Sequence, residues 1–292
     1  MNKKIIFADI DGTLFDHETG KIPASACEAL RQARENGHRI FLCTGRPLPD
    51  ITGDLRQLPL SGMVLACGAH IIAEGETIFE QNFPTGDLKR LIAFMQEHHI
   101  EFKLEGSRRN YLTPLAYSLF QGIFTEQPDD SELARAAMAD VGMFPFSDIA
   151  EADLGQILKL YLFSKDPSAL EALSQALPPH IQCFLYENME RDLANGEITL
   201  RNITKAAGID RVLSFYGDCG LKDTIALGDS LNDMEMIRHA GVGIAMGNAV
   251  DALKENADYV TKDIAVPLTP SWSSLPCSDL PVIKSLFYCN TL

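Results

Sequence analysis

Two aspartates directly follow a short apolar segment near the start of the chain. The segment IIFA covers residues 5–8, and Asp9 and Asp11 come after it with one residue between them. Four consecutive apolar residues are typical of a buried strand, but two carboxylates this close repel each other, and burial increases the repulsion. A bound cation would relieve that repulsion, so the sequence indicates a site that holds one.

Two further strands are predicted to end in polar residues. The apolar segment 39–43 runs into Thr44, and the segment 224–228 runs into Asp229, with Asp233 four residues later. Open parallel sheets bind ligands beyond the carboxyl ends of their strands, so these side chains meet if the strands are neighbours. Several carboxylates at one place form an oxygen-rich site, and Mg²⁺ suits such a site because it also accepts substrate phosphate oxygens.

The surrounding segments alternate between strand and helix patterns. The periodicity of apolar residues predicts helices at 22–36, 232–240 and 249–257, and further strands at 63–67 and 242–247. This order predicts an α/β fold, in which helices cover a parallel sheet.

The middle of the chain has an alternation of its own. Strand patterns at 156–164 and 181–186 flank a helical pattern at 166–177, and the first strand alternates as a half-exposed strand does. We therefore predict a separate α+β unit with an open-faced sheet, inserted between the two halves of the α/β unit.

Composition and charge restrict the classes of function. The net charge of −15 argues against a general nucleic-acid binder, which needs a basic surface. No apolar run approaches the ~20 residues that cross a bilayer, so we expect no membrane partner and a cytoplasmic location. The seven cysteines form no CxxC pair, which favours reduced thiols over disulfides or a zinc site.

Four short segments resemble the ordered motifs of the haloacid dehalogenase (HAD) superfamily. They are DIDGT (9–13), TGR (44–46), Lys205 and GDSLND (228–233). The large insertion between the second and third motifs resembles that of the Cof-type phosphatases with a type-2 cap, and residues 241–261 are also similar to that group. Because the motifs occur in the family's order and on the predicted elements, the resemblance is specific.

The resemblance covers about residues 3–263 and implies a fold. It implies a HAD-like Rossmannoid parallel sheet as a discontinuous catalytic core, with an inserted α+β cap domain. We place the core at 1–83 and 191–263, the cap at 84–190, and an atypical tail at 264–292.

The implied activity is that of a Mg²⁺-dependent phosphatase. It would hydrolyse small phosphomonoesters through an aspartyl-phosphate intermediate, and the family suggests sugar phosphates, nucleotides, flavin mononucleotide or pyridoxal phosphate as the small-molecule partner. A sugar phosphomutase that uses the same intermediate is one alternative. A non-catalytic protein that binds a phosphorylated ligand is another.

The resemblance also implies roles for individual residues. Asp9 would be the nucleophile, and Asp11 would protonate the leaving oxygen and later take a proton from water. Thr44, the backbone N–H of Gly45, Lys205 and Asn232 would contact the phosphate.

The implied metal site uses some of the same residues. Mg²⁺ would be bound by Asp9, the backbone carbonyl of Asp11, Asp229 and Asp233, the last directly or through water. The segment from Asp229 to Asp233 precedes a predicted helix, so helix capping is an alternative role for any one of its polar residues.

A basic segment of the insertion could read the substrate. Residues 103–112 place several polar side chains close together, and they could meet a second anionic or sugar-like group. A solvated basic loop is the alternative. The residues are Lys103, Arg108, Arg109, Asn110 and Tyr111.

The chain departs from the Cof-type pattern in two places. Asn-Gly-Ala is usual after the third strand, but this chain has Cys67-Gly68-Ala69, for which we expect altered packing or substrate contact without loss of activity. The proline-rich residues 264–292 replace the usual closing helix. They could be an aberrant replacement, such as a frameshift would give, or a genuine extension that packs on the core or on a partner.

Overall fold

The computed structural model describes residues 3–124, 132–190 and 192–261. In these ranges the strands are β1 (Ile5–Ala8), β2 (Arg39–Cys43), β3 (Gly62–Leu65), β4 (His70–Ala73), β5 (Glu76–Glu80), β6 (Glu101–Gly106), β7 (Asn110–Leu112), β8 (Met143–Pro145), β9 (Ile157–Ser164), β10 (Ile181–Glu190), β11 (Leu193–Leu200), β12 (Thr224–Gly228), β13 (Val242–Ala245) and β14 (Tyr259–Val260). The helices are α1 (Ala24–Glu35), α2 (Thr85–Glu97), α3 (Pro114–Phe124), α4 (Glu132–Asp140), α5 (Pro167–Ala176), α6 (Lys205–Tyr216), α7 (Met234–His239) and α8 (Asp251–Lys254). The atypical tail predicted at 264–292 lies outside the described residues.

The chain divides into two compact units. Unit 1 takes the described parts of Met1–Gly45, Gly53–Glu80 and Thr204–Leu292, and unit 2 takes those of Arg46–Thr52 and Gln81–Ile203. Unit 2 therefore extends beyond the predicted insertion. The physical reason is that β11 pairs with β9 and β10, which adds its residues to the sheet of the insertion.

Unit 1 is built on one sheet with the strand order β14-β13-β12-β1-β2-β3-β4-β5. The pairs from β14 to β3 are parallel, and β3-β4-β5 form an antiparallel edge. Every residue of β1 and β12 is buried, as expected for parallel strands that are covered on both faces. The predicted α/β arrangement of alternating strands and helices is found in this unit.

The helices near the end of unit 1 are shorter than the sequence predicts. The predicted helix 232–240 begins as a 3-10 turn over Leu231–Asp233, and α7 starts only after that turn. The predicted helix 249–257 is reduced to the single turn of α8.

Unit 2 contains a second sheet, with the order β10-β11-β9-β6-β7-β8. The prediction that β9 is half-exposed was wrong, because Tyr161 is the one residue of this strand that is not fully buried. Even Lys159 is only 2% exposed, and Lys103 on the neighbouring β6 is 1% exposed. Burial of a lysine requires charged partners, and the structure provides them.

The partners of these lysines form one chain of ion pairs. Lys103 Nζ lies 2.5 Å from Asp50 Oδ2 and 3.0 Å from Glu105 Oε1. Lys159 Nζ lies 3.3 Å from the other oxygen of Glu105 and 2.6 Å from Glu197 Oε1. The charged side chains of these two strands are therefore buried, and do not face solvent, because they form ion pairs with one another and with Asp50 and Glu197.

The basic segment at 103–112 is mostly turned inward. Asn110 donates its amide to Asp50 Oδ1 at 2.7 Å, and Tyr111 donates its hydroxyl to Asp153 Oδ2 at 2.7 Å. Only Arg108 and Arg109 of the residues named above are exposed, so a solvated loop describes just this pair.

Within the described ranges, none of the helices combines the length and the apolar character that a bilayer crossing needs. Five cysteines of these ranges carry free thiols, as the sequence predicts, namely Cys27, Cys43, Cys67, Cys183 and Cys219.

Replacement of Lys103 by methionine should destabilise the protein by about 3–5 kcal/mol, because it leaves the carboxylates of Asp50 and Glu105 buried without this partner. Urea denaturation measures the change. Arg31→Ala is the matched control, since Arg31 forms exposed ion pairs with Glu28 and Glu35, and their loss should cost far less than the loss of the buried pairs. Equal losses in the two variants would contradict the role given to the buried ion pairs.

Candidate active site

Three neighbouring parallel strands, β12, β1 and β2, bring the predicted site residues to one edge of the sheet. Ala8 pairs with Leu42 on one side and Leu227 on the other, so the residues that follow them leave the sheet at the same level. Asp9 continues this alignment, because its N–H donates to the carbonyl of Leu227 at 3.0 Å. The backbone N–H of Thr44 is held in the same way by the carbonyl of Val64, at 2.9 Å.

Lys205 brings a positive charge to these strand ends. It is the first residue of α6, which Thr204 caps by accepting a hydrogen bond from the N–H of Ala207 at 3.1 Å. Its ammonium donates to Asp9 Oδ1 at 2.8 Å and to Asp233 Oδ1 at 2.5 Å, and all three side chains are buried. The three residues thus form one buried ion-paired group.

Asp233 has two functions in this arrangement. One oxygen accepts from Lys205, while Oδ2 accepts from the backbone N–H groups of Asp229 at 3.0 Å and Ser230 at 3.1 Å. The capping role considered as an alternative is therefore real for Asp233, and it accompanies the ion pair.

Asp229 is held by the loop that follows β1. Thr13 donates its hydroxyl to Asp229 Oδ1 at 3.3 Å. Gly12 has a φ of +74°, and a Cβ atom there would lie 2.3 Å from Asp229 Oδ2, so only glycine fits. Asn248 also binds this loop, because its amide donates to the carbonyl of Gly12 at 2.8 Å.

The side chains of Thr13 and Asn248 are site residues that the sequence alone did not predict. Thr13 could have been predicted as a site residue, because it belongs to the DIDGT segment that also contains Asp9 and Asp11. For Asn248 the one indication in the sequence was its position in residues 241–261, which are similar to the Cof-type phosphatases.

Asp9, Asp229 and Asp233 form a set that fits a divalent cation. One carboxylate oxygen from each lies within 4.8 Å of the others. Lys205 forms ion pairs with two of these carboxylates. When all three carboxyl groups are ionised, its single positive charge leaves two negative charges to be balanced. Carboxylate oxygens at this spacing and charge fit Mg²⁺, which the sequence predicts here.

Burial changes the acidity of the cluster. It raises the pKa of Asp9 to about 7, although Lys205 lowers it, and it raises the pKa of Asp229 to about 6, with a further contribution from Asp233. Burial alone would lower the pKa of Lys205, but the charges of Asp233 and Asp9 outweigh it and hold that pKa well above its ordinary value. Without a cation the cluster therefore retains protons close to neutral pH.

Three other predicted residues have surroundings of their own, although the charge of Asp11 also raises the pKa values of Asp9 and Asp229. Asp11 is half-buried, and its Oδ1 lies 3.1 Å from Nε2 of the exposed His17. Asn232 is exposed, and its Oδ1 accepts from the hydroxyl of Ser230 at 2.8 Å. Gly45, the last residue of its segment in unit 1, is half-buried.

Comparison with known proteins decides the family. The haloacid dehalogenase-like hydrolases match residues 6–265 of the chain, which is most of its length. The chain belongs to the haloacid dehalogenase-like hydrolases. Among curated members, this HAD-like chain is 30% identical over 268 residues to YkrA of Bacillus subtilis, named as a candidate phosphatase. That alignment covers 90% of this chain and 94% of YkrA.

Two other relatives have more specific names. YcsE of Bacillus subtilis, which is named as a 5-amino-6-(5-phospho-D-ribitylamino)uracil phosphatase, is 29% identical to this chain. The alignment covers 88% of this chain and 89% of YcsE. The solved structure of a HAD subclass IIB sugar phosphatase, BT4131, is 27% identical with a TM-score of 0.68, and the match covers 90% of this chain and 95% of that one. These comparisons confirm the predicted superfamily, the HAD-like α/β fold with a cap and the phosphatase class of hydrolase.

We expect Asp9 and Asp229 to make the metal-free HAD-like protein less stable as the pH rises from about 5 to about 7. The difference between the wild type and Asp229→Asn isolates this contribution from the opposite one of His38 and His70, whose pKa values burial lowers. The folded-state pKa values of Asp9 and Asp229 lie above the ordinary value of 3.8, so over this range the folded state binds more protons than the unfolded chain. Mg²⁺ should raise the melting temperature at neutral pH by several degrees and at acidic pH by less, because protons compete with it. Thermal melts with Mg²⁺ and with a chelator measure both effects.

Asp229→Asn is the control for these melts. It removes one carboxylate, so it should reduce both the decline with pH and the gain from Mg²⁺. A wild-type melting temperature that does not respond to Mg²⁺ at neutral pH would contradict the assignment of the cluster as a cation site.

Proposed function

We propose that this protein is a Mg²⁺-dependent phosphatase that hydrolyses small phosphomonoesters through a phosphorylated Asp9. The observation that carries the proposal is the buried group of Asp9, Lys205 and Asp233 beside Asp229 at the carboxyl ends of parallel strands. Such a group combines a nucleophile, a fixed positive charge and a cation site, which are the parts that phosphoryl transfer needs.

In the first step a carboxylate oxygen of Asp9 attacks phosphorus and forms an O–P bond. The bond between phosphorus and the ester oxygen breaks, and Asp11 gives its proton to the departing oxygen. Asp11 suits this role because it is half-buried and its Oδ1 lies 3.1 Å from Nε2 of the exposed His17, which gives its carboxyl group a route to protons from solvent.

In the second step water attacks the phosphorus of the phosphorylated Asp9. Asp11, now ionised, takes the proton from that water, the bond between Asp9 and phosphorus breaks, and inorganic phosphate leaves. Both carboxyl groups then have their starting charge, so the cycle balances without a further reactant.

Asp9, Asp229 and the backbone carbonyl of Asp11 would hold the cation directly. Asp233 would contact it through water, because both of its oxygens already accept hydrogen bonds. The bound Mg²⁺ would supply charge neutralisation at the phosphoryl oxygens.

Other residues would bind the phosphoryl group. Lys205 offsets negative charge as the bond to Asp9 forms, while Thr44 and the N–H of Gly45 donate hydrogen bonds. Asn232, which is exposed in the turn after β12, would contact the phosphate as well.

The substrate class is that of small phosphate esters, including sugar phosphates, nucleotides, flavin mononucleotide and pyridoxal phosphate. The named activities of the relatives support this class, among them that of a pyridoxal phosphate phosphatase of Escherichia coli, YbhA, which is 25% identical. A panel of these esters, assayed for inorganic phosphate with Mg²⁺ and with a chelator, tests the proposal. Isomerised sugar phosphate without phosphate release would indicate a mutase, and binding without turnover would indicate a sensor.

Replacement of Asp9 by asparagine should lower the rate of phosphate release by at least about a thousandfold, because the amide cannot form the acyl phosphate. Folding should be retained, since a neutral amide is easier to bury than a carboxylate whose pKa is already raised. Asp251→Asn, at a fully exposed position outside the site, is the matched control. Turnover near the wild-type rate in the Asp9 variant would exclude Asp9 as the nucleophile.

A further inference from the structure

The turn that directly follows β3 has a strained backbone. Three consecutive residues have positive φ, with 48° at Ala66, 57° at Cys67 and 105° at Gly68. Residues other than glycine seldom adopt this conformation, and such strain persists only where the surrounding structure imposes it.

The turn contacts two segments of the candidate site. The N–H of Cys67 donates to the carbonyl of Thr44 at 3.0 Å, so the turn fixes the backbone at the end of β2. Gly68 lies against the start of α6, where a Cβ atom would be 2.5 Å from the carbonyl oxygen of Thr204. Thr204 caps α6 and precedes Lys205, so this approach reaches the backbone that carries the lysine.

A second glycine, on the helix, makes a similar approach to the sheet. Gly208 is buried in the first turn of α6, and a Cβ atom there would lie 2.5 Å from Cγ1 of Val64 and 3.6 Å from its Cβ. Glycine is a poor residue for a helix compared with alanine, so its presence at this position needs a packing reason. Contact with Val64, which is fully buried in β3, provides that reason.

We propose that Gly68 and Gly208 are positioning residues for Lys205. The two close contacts set the distance between the start of α6 and β3, and that distance places the ammonium 2.8 Å from Asp9 and 2.5 Å from Asp233. A displacement of the helix by about 1 Å is enough to break such bonds and to slow the chemistry strongly. This inference rests on the function proposed for Lys205.

A set of variants with matched controls tests the proposal. Gly208→Ala should lower kcat for p-nitrophenyl phosphate with Mg²⁺ by at least about tenfold while KM changes by less than about threefold, because the lysine acts on the reacting group. Gly86→Ala is the control, since Gly86 lies in the first turn of α2 and a Cβ atom there would meet only Arg90 Nη1 at 3.9 Å. It should leave kcat unchanged.

A second variant tests whether the loss of kcat in Gly208→Ala comes from the contact with Val64. In the double variant Val64→Ala, Gly208→Ala the contact at 2.5 Å is removed and the Cβ of residue 64 remains at 3.6 Å, an ordinary van der Waals distance. The double variant should therefore regain most of the kcat that Gly208→Ala loses, although the loss of the valine lowers the melting temperature. A defect of stability alone would instead become worse.

Crystal structures of the variants separate this proposal from the proposed function. In Gly208→Ala the ammonium of Lys205 should move away from Asp9, and in the double variant it should return, whatever the enzyme hydrolyses. If the wild-type protein releases no phosphate while its variants show this displacement and return, the proposed function alone is refuted. The positioning proposal is overturned if Lys205 keeps its place in Gly208→Ala, if kcat keeps its wild-type value, or if the double variant stays as slow as Gly208→Ala.

Discussion

The ion pair between Lys205 and the carboxylates of Asp9 and Asp233 is the interaction on which the candidate site depends. Three buried charged groups are stable together only because each satisfies another, and removal of the ammonium would leave two buried carboxylates without it. The effect extends along the chain, because the second oxygen of Asp233 holds the backbone of Asp229. One lysine thus fixes both the proposed nucleophile and the loop of a proposed cation ligand.

The sheet of unit 1 brings together the residues of this ion pair, which are far apart in the sequence. β1 comes from the start of the chain and β12 follows the insertion, yet they pair in parallel, which brings Asp9 level with the end of β12. The lysine arrives from a third segment, the first residue of α6, at a distance that the close packing of that helix on β3 sets. Unit 2 follows the same physical rule, since Lys103 and Lys159 are buried only together with carboxylate partners.

Local patterns were sufficient to predict the strands that precede Asp9, Thr44 and Asp229, and these strands are parallel neighbours in the sheet. Local patterns failed where the deciding partner lies far away in sequence. The burial of Lys103 depends on Asp50, from a segment outside the predicted insertion, and the alternation of β9 alone indicates a solvated face. The double role of Asp233 was likewise not predictable, because spacing cannot show that one oxygen binds Lys205 and the other caps the loop.

In the proposed reaction, strand β1 places Asp9 as a nucleophile that becomes phosphorylated. The most direct test mixes wild-type enzyme with a ³²P-labelled phosphate ester and Mg²⁺, quenches the reaction in acid within one turnover, and maps the labelled peptide by mass spectrometry. We predict one phosphoryl group on the peptide that contains Asp9, attached to its carboxylate and absent from Asp9→Asn. Phosphate release with no labelled protein at any quench time, or a label on a different residue, would contradict the account.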